Sequence, residues 1–130
     1  MMPSDPQADP GSPSPRHNFI LGALPDTEFA RLAPDLQPVL LPRPTELEAP
    51  DTEIKFVYFP TSGIASIIAI GANGESVDTT MIGREGMTGL PVFLGTNQMP
   101  VRTIVQIPLA GYRLPSDAVR AELQRGARAM

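Results

Sequence analysis

Proline at positions 42, 44, 50 and 60 and glycine at 63, 71 and 74 interrupt the middle of the chain too often for long strands. Proline lacks the N–H that a sheet ladder needs and fixes φ, which confines it to edges, bends and bulges. The spacing therefore predicts short strands joined by turns. Val39-Leu40-Leu41 is a short apolar run, Ile54 to Phe59 mixes β-branched and aromatic residues, and Pro60-Thr61-Ser62-Gly63 carries turn chemistry before a buried strand over Ile64 to Ile70. Asn73-Gly74 within Gly71-Ala72-Asn73-Gly74 is a strong hairpin signal, so Ser76 to Ile82 is expected to run back antiparallel. Gly83 to Gly95 is glycine-rich, and strand character returns at Val101 to Ile107 and at Tyr112 to Leu114.

The two ends differ from this middle. Residues 1–17 are rich in Pro, Ser, Asp and Gly with few apolar side chains, a composition that reads as a disordered tail. Phe19, Ile20, Leu21, Leu24, Phe29, Leu32 and Leu36 suit a short amphipathic helix starting near Pro25, with Asp26, Thr27 and Glu28 in its first turn and Pro34 at its close. Pro115-Ser116-Asp117 opens a last helix with Ala118, Val119, Ala121 and Leu123 as apolar positions and Gly126 as its stop, leaving 125–130 as a tail. A helix, roughly eight short strands and a closing helix make the fold class mainly β, a sandwich or jelly roll, over residues 18–124.

Composition narrows the function. The chain's 130 residues, 42% of them hydrophobic, suit one domain with one core. A formal net charge of −4 gives no basic field for phosphate backbones, so direct DNA binding by this chain is not expected. The absence of cysteine excludes disulfides, thiolate catalysis and cysteine-held clusters or zinc. Gly63 to Gly71, the longest apolar stretch, is far shorter than the roughly 20 residues of a membrane-spanning helix. No secretory signal is read at the N-terminus, so the expected location is the cytoplasm.

Three segments then fall in a recognisable order: Val57-Tyr58-Phe59-Pro60-Thr61-Ser62-Gly63-Ile64, Gly83-Arg84-Glu85-Gly86-Met87-Thr88-Gly89-Leu90-Pro91, and Val101-Arg102-Thr103-Ile104-Val105. Together with a leading helical segment from Asn18 to Leu36, they resemble the sensor domain of Crp/Fnr regulators, a cyclic-nucleotide-binding-like domain. The resemblance covers roughly Asn18 to Leu123 and implies a double-stranded β-helix, or jelly-roll β-roll, holding a phosphate-binding cassette over Gly86 to Thr103. In physical terms, glycines let backbone approach an anion, and a short helix starting near Thr88 would aim free N–H groups at it. The residues the resemblance places at the ligand are Gly86, Met87, Thr88, Gly89, Leu90, Arg102 and Thr103. Arg102, followed by the hydroxyl of Thr103, would grip the phosphate of a cyclic nucleotide or another small phosphate or anion. Met87 departs from the pattern: the cyclic-AMP-binding members carry there a glutamate that accepts from the ribose hydroxyl, and a thioether is a weak acceptor. Thr96-Asn97-Gln98-Met99-Pro100 lengthens the cassette loop.

Plainer readings stand beside these. Arg102 also suits a solvated strand or a structural role, Gly86 and Gly89 suit turns, and Met87 suits a core. Arg84 and Glu85 suit a local surface ion pair. Glu46, Glu48, Asp51 and Glu53 lack calcium-loop spacing and read as a solvated loop. His17, the sole histidine, cannot build the histidine set of a cupin-like metalloenzyme. The leading expectation is a regulatory ligand-sensing module linked to transcription regulation, partnered by a homodimer copy or a full-length family relative. The alternative is a ligand-independent interaction or dimerisation module.

Overall fold

The computed structural model describes residues 13–89 and 101–129. A 3-10 turn, Pro15–His17, leads into helix α1, Phe19–Ala23, and then α2, Asp26–Leu32. Asn18 separates the first two because its Oδ1 accepts the N–H groups of Ile20 and Leu21, which caps α1. The single leading helix expected from the apolar spacing is thus two. The second begins after Pro25, as expected, and runs into a 3-10 turn at Ala33–Asp35 that contains Pro34. Five strands follow: β1 Gln37–Leu41, β2 Glu46–Glu48, β3 Phe56–Ile70, β4 Ser76–Ile82 and β5 Val101–Pro115. Helix α3, Ser116–Ala129, closes the described chain.

All pairings are antiparallel, in the order β1-β5-β3-β4, with β2 also on β5. Strand β5 organises the roll. Its Leu109 to Arg113 face β1, its Thr103 and Ile104 face β2, and almost its whole length pairs with β3. The expected break at Pro60-Thr61-Ser62-Gly63 is no turn. Register shifts between Pro60 and Ser62 and between Ser62 and Ile64 let β3 bend and continue. Gly63 sits at φ 86°, and a Cβ there would stand 2.2 Å from the Pro108 carbonyl oxygen, so the glycine permits a close strand crossing. The two expected strands at 101–107 and 112–114 likewise fuse into β5. The hairpin at Gly71 to Gly74 forms as expected, with the Gly74 N–H donating to Gly71 O at 2.9 Å and Glu75 O accepting from Gly71 N–H at 2.7 Å.

Apolar side chains gather in two clusters. At the helical end Leu21, Leu36, Val57, Phe59, Tyr112 and Leu114 form a core covered by Leu24, Phe29 and Met87. At the other end Ala65, Val105 and Leu109 pack with Val39, Leu41 and Leu47. The expected tail over 1–17 is corrected in its last residues, which belong to the domain. The Tyr112 hydroxyl donates to Pro13 O, while the Arg16 guanidinium lies over the Phe29 ring and donates to Leu24 O. The C-terminal boundary moves as well. Helix α3 continues through Gly126 to Ala129, because the helix-favouring neighbours Arg125, Ala127, Arg128 and Ala129 outweigh the cost of about 1 kcal/mol for an interior glycine.

Candidate functional site

The segment after β4 is held to the roll by backbone bonds. Gly86 N–H donates to Gly83 O at 3.1 Å, and Gly86 O accepts from Asn18 Nδ2 at 2.9 Å. Arg84 and Glu85 do not form the expected pair with each other. Glu85 turns back to accept the Gly83 N–H, which holds its carboxyl below its ordinary pKa, and Arg84 lies over the Phe19 ring. Met87 packs on the helical-end core, in keeping with the plainer reading of it. Thr88 is fully buried and bridges to β3 twice: its N–H donates to Tyr58 O at 3.0 Å, and its Oγ1 accepts the Tyr58 N–H at 3.1 Å. Gly89 follows at φ 82°, where a Cβ would meet Val57 Cγ2 at 2.7 Å. Leu90, the loop Thr96 to Pro100 and the helix expected from Thr88 onward lie outside the described residues.

The other candidate residues sit at the head of β5, and β2 sorts them. Between Glu46 and Glu48 the register shifts: Glu46 faces Ile104, and Glu48 faces Thr103. Ile104 and Thr103 point to opposite faces of β5, so this bulge sends the two carboxylates to opposite faces as well. On the outer face Arg102, its side chain 45% exposed, holds Glu46 Oε2 at 3.0 Å from its guanidinium. On the inner face Thr103 is fully buried, and its hydroxyl donates to Glu48 Oε1. Arg102 and Thr103, which the resemblance assigns to one phosphate, thus lie on opposite faces of β5. Each already meets a carboxylate of β2.

Glu48 is the functional candidate that sequence reasoning missed. It lies in a strand at 5% exposure rather than in the solvated loop expected of Glu46, Glu48, Asp51 and Glu53. Burial pushes its carboxyl above the ordinary value, while hydrogen bonds from the Thr103 hydroxyl and the Gly89 backbone N–H pull the other way. Oε2 has no hydrogen-bond partner among the described residues. No local signal marks it: the bulge that turns Glu48 inward exists only once β2 pairs with β5. The two ends of the cassette thus meet at Gly89, Thr103 and Glu48, a small polar island inside an apolar roll. Among the described residues no group of three or more histidine, aspartate and glutamate side chains could hold a metal ion.

Neither a family model nor a curated protein matches the sequence. Solved structures do match its fold. The sensor domain of the transcriptional regulator DNR from Pseudomonas aeruginosa superimposes with a TM-score of 0.65 at 16% identity, over 83% of this chain and 71% of that one. A putative cyclic nucleotide binding protein from Ruegeria pomeroyi gives 0.71 at 16% identity, over 85% of this chain and 49% of that one. A regulatory subunit of a cAMP-independent protein kinase A from Trypanosoma cruzi, bound to guanosine, gives 0.73 at 17% identity, over 85% of this chain and 39% of that one. The chain therefore spans about half or less of the last two proteins. Its fold is that of the cyclic nucleotide-binding β-roll found in sensor and regulatory domains. Among the described residues no helix is long and apolar enough to cross a membrane.

Proposed function

We propose that this chain is a ligand-sensing regulatory module in which a small effector binds where Gly89, Thr103 and Glu48 meet. The observation that carries the reading is the buried carboxylate at the junction of the cassette with β5, with one oxygen unpaired among the described residues. Buried polar groups are normally fully bonded, since each one left open costs about 1–3 kcal/mol. A roll that keeps such a group beside its cassette has a reason for it outside stability, and a binding site supplies one. The fold's recurrence in sensor domains and cyclic nucleotide-binding proteins supports the same reading, as does its recurrence in a transcriptional regulator for a role in transcription regulation. The chain's acidic balance argues that any DNA contact is made by a partner or by another module.

Thermal shift measurements on the whole chain with cyclic AMP, cyclic GMP, adenosine, guanosine and inorganic phosphate test the proposal. A ligand specific for the folded state stabilises by about 2.7 kcal/mol at one hundred times its Kd, which raises the melting midpoint by several degrees. The expected result is a shift with at least one of them that Thr103→Val reduces. No shift with any would remove the sensing reading.

A second reading rests on β4, which ends the strand order. Val77 and Met81 on this edge are each 60% exposed. An edge left unpaired among the described residues and bearing apolar side chains suits antiparallel pairing with the same edge of a second copy. Sedimentation across a concentration series checks it: dimer formation that Val77→Lys abolishes supports it, and a monomer at every concentration ends it.

A further inference from the structure

The groups expected to hold a phosphate are both engaged by acids of the chain itself. Arg102 pairs with Glu46 outside the roll, and the Thr103 hydroxyl donates to Glu48 inside it. A phosphate brought to Thr103 would have to displace the Glu48 carboxylate or lie against it, with little water to screen two like charges. What the cluster lacks is a donor. Thr103 has one hydroxyl proton and gives it to Oε1, the Gly89 N–H is the other donor acting on the carboxylate, and Oε2 is left open among the described residues. A ligand that fits this chemistry offers a hydroxyl or amino hydrogen at that oxygen and carries no negative charge beside it.

Resting on the sensing reading above, we infer that Glu48 is the specificity-determining residue of the effector site, selecting a neutral, hydroxyl-rich ligand of the nucleoside class and excluding phosphate-bearing ones. Glu48 takes up the task that Met87 cannot perform, accepting from the ligand's hydroxyls, but from β2 and at the place where the resemblance expects a phosphate. Among the structures sharing this fold, the Trypanosoma cruzi protein is bound to guanosine, a nucleoside without phosphate. The preference works by exclusion as much as by attraction, because an isosteric anion leaves the buried carboxylate both repelled and unpaired.

Calorimetric titration of the whole chain at neutral pH with guanosine, adenosine, cyclic AMP and inorganic phosphate tests this, alongside the Glu48→Gln variant. The variant keeps the side-chain shape and removes the charge, and its circular dichroism melt reports that it folds. The parent is expected to bind a nucleoside at least tenfold more tightly than cyclic AMP and to ignore phosphate. Glu48→Gln is expected to lose nucleoside affinity about tenfold and to gain affinity for cyclic AMP. If the parent binds cyclic AMP as tightly as either nucleoside, or the variant leaves the preference unchanged, the inference fails while the sensing reading stands. Silence from all four ligands on both proteins overturns the two together.

Discussion

Two buried polar side chains of the roll are bonded in different ways. At the helical end Asn18 is fully enclosed, and every hydrogen-bonding atom of its amide is used. Its Oδ1 accepts from the Ile20 and Leu21 N–H groups, and its Nδ2 donates to Pro60 O at 2.8 Å and to Gly86 O at 2.9 Å. That one side chain caps α1, ties it to the bend of β3 and fixes the start of the cassette. Glu48, nearly as enclosed, holds a bond to Thr103 with one oxygen, while the other has no hydrogen-bond partner among the described residues. The contrast separates two uses of a buried polar group. A saturated one locks elements together, and an unsaturated one keeps bonding capacity in reserve, which is what the proposed effector site would use.

The comparison breaks most sharply at Asn18. Asn18→Ala removes a cap and strands one buried and one part-buried carbonyl, so urea unfolding should show a loss of about 2–4 kcal/mol. A loss under 1 kcal/mol would mean that water or backbone movement replaces the amide, and that the two side chains do not differ as described. Thr103→Val should cost less, about 1–3 kcal/mol, by taking the hydroxyl from a carboxylate that keeps its charge. Combining it with Glu48→Gln should recover much of that loss, a non-additivity that a double-mutant cycle measures directly.

Glu48→Gln alone should stabilise the protein at neutral pH by about 1 kcal/mol. The sign follows from the direction of its pKa. Because folding raises the Glu48 pKa above its ordinary 4.5, its favourable contribution is complete below that value and is lost as pH rises through the higher folded value. The variant's advantage should therefore shrink toward zero as pH falls to 4.5 and below, which stability curves at successive pH values can follow. An advantage that grows in acid would show that Glu48 is held charged by partners after all.

Glu122 supplies the smallest effect and the opposite sign. It pairs with Arg31 at 2.7 Å between α3 and α2, and hydrogen bonds from Arg31 hold its pKa low. Its contribution is present above 4.5 and fades as pH falls. The pair is partly exposed, so Glu122→Gln should lower the melting midpoint only slightly, and added salt should erase the difference.

How far the sequence reveals such a molecule depends on how local each cause is. Strand β4 and its hairpin were readable because Gly71 to Gly74 carry their own turn chemistry and Ser76–Ile82 follows directly. The mainly β class and the roll were readable from turn spacing and from three segments in order. The lengths of β3 and β5 were hidden, because Pro60 and Gly63 mark a break on paper yet are absorbed by register shifts that exist only once the partner strand is in place. Gly86 and Thr88 drew notice as cassette residues, but the described bonds of Gly86 are to Gly83 and Asn18, and those of Thr88 are to Tyr58. The hydroxyl of Thr103, assigned to a phosphate by the resemblance, donates to the Glu48 carboxylate, a partner no local pattern announces. Glu48 escaped notice because its burial follows from one irregular step in β2.

That irregular step between Glu46 and Glu48 has an evolutionary corollary. Because the irregular step lets Glu48 rather than Leu47 oppose Thr103, pairing of the same residues without the bulge would set Leu47 opposite Thr103 and Glu48 opposite Arg102, and the interior would lose its carboxylate. Relatives with nearly the same composition in this strand could then favour quite different effectors, and the register of three or four residues before the bend would be a better guide to their chemistry than the identity of the cassette.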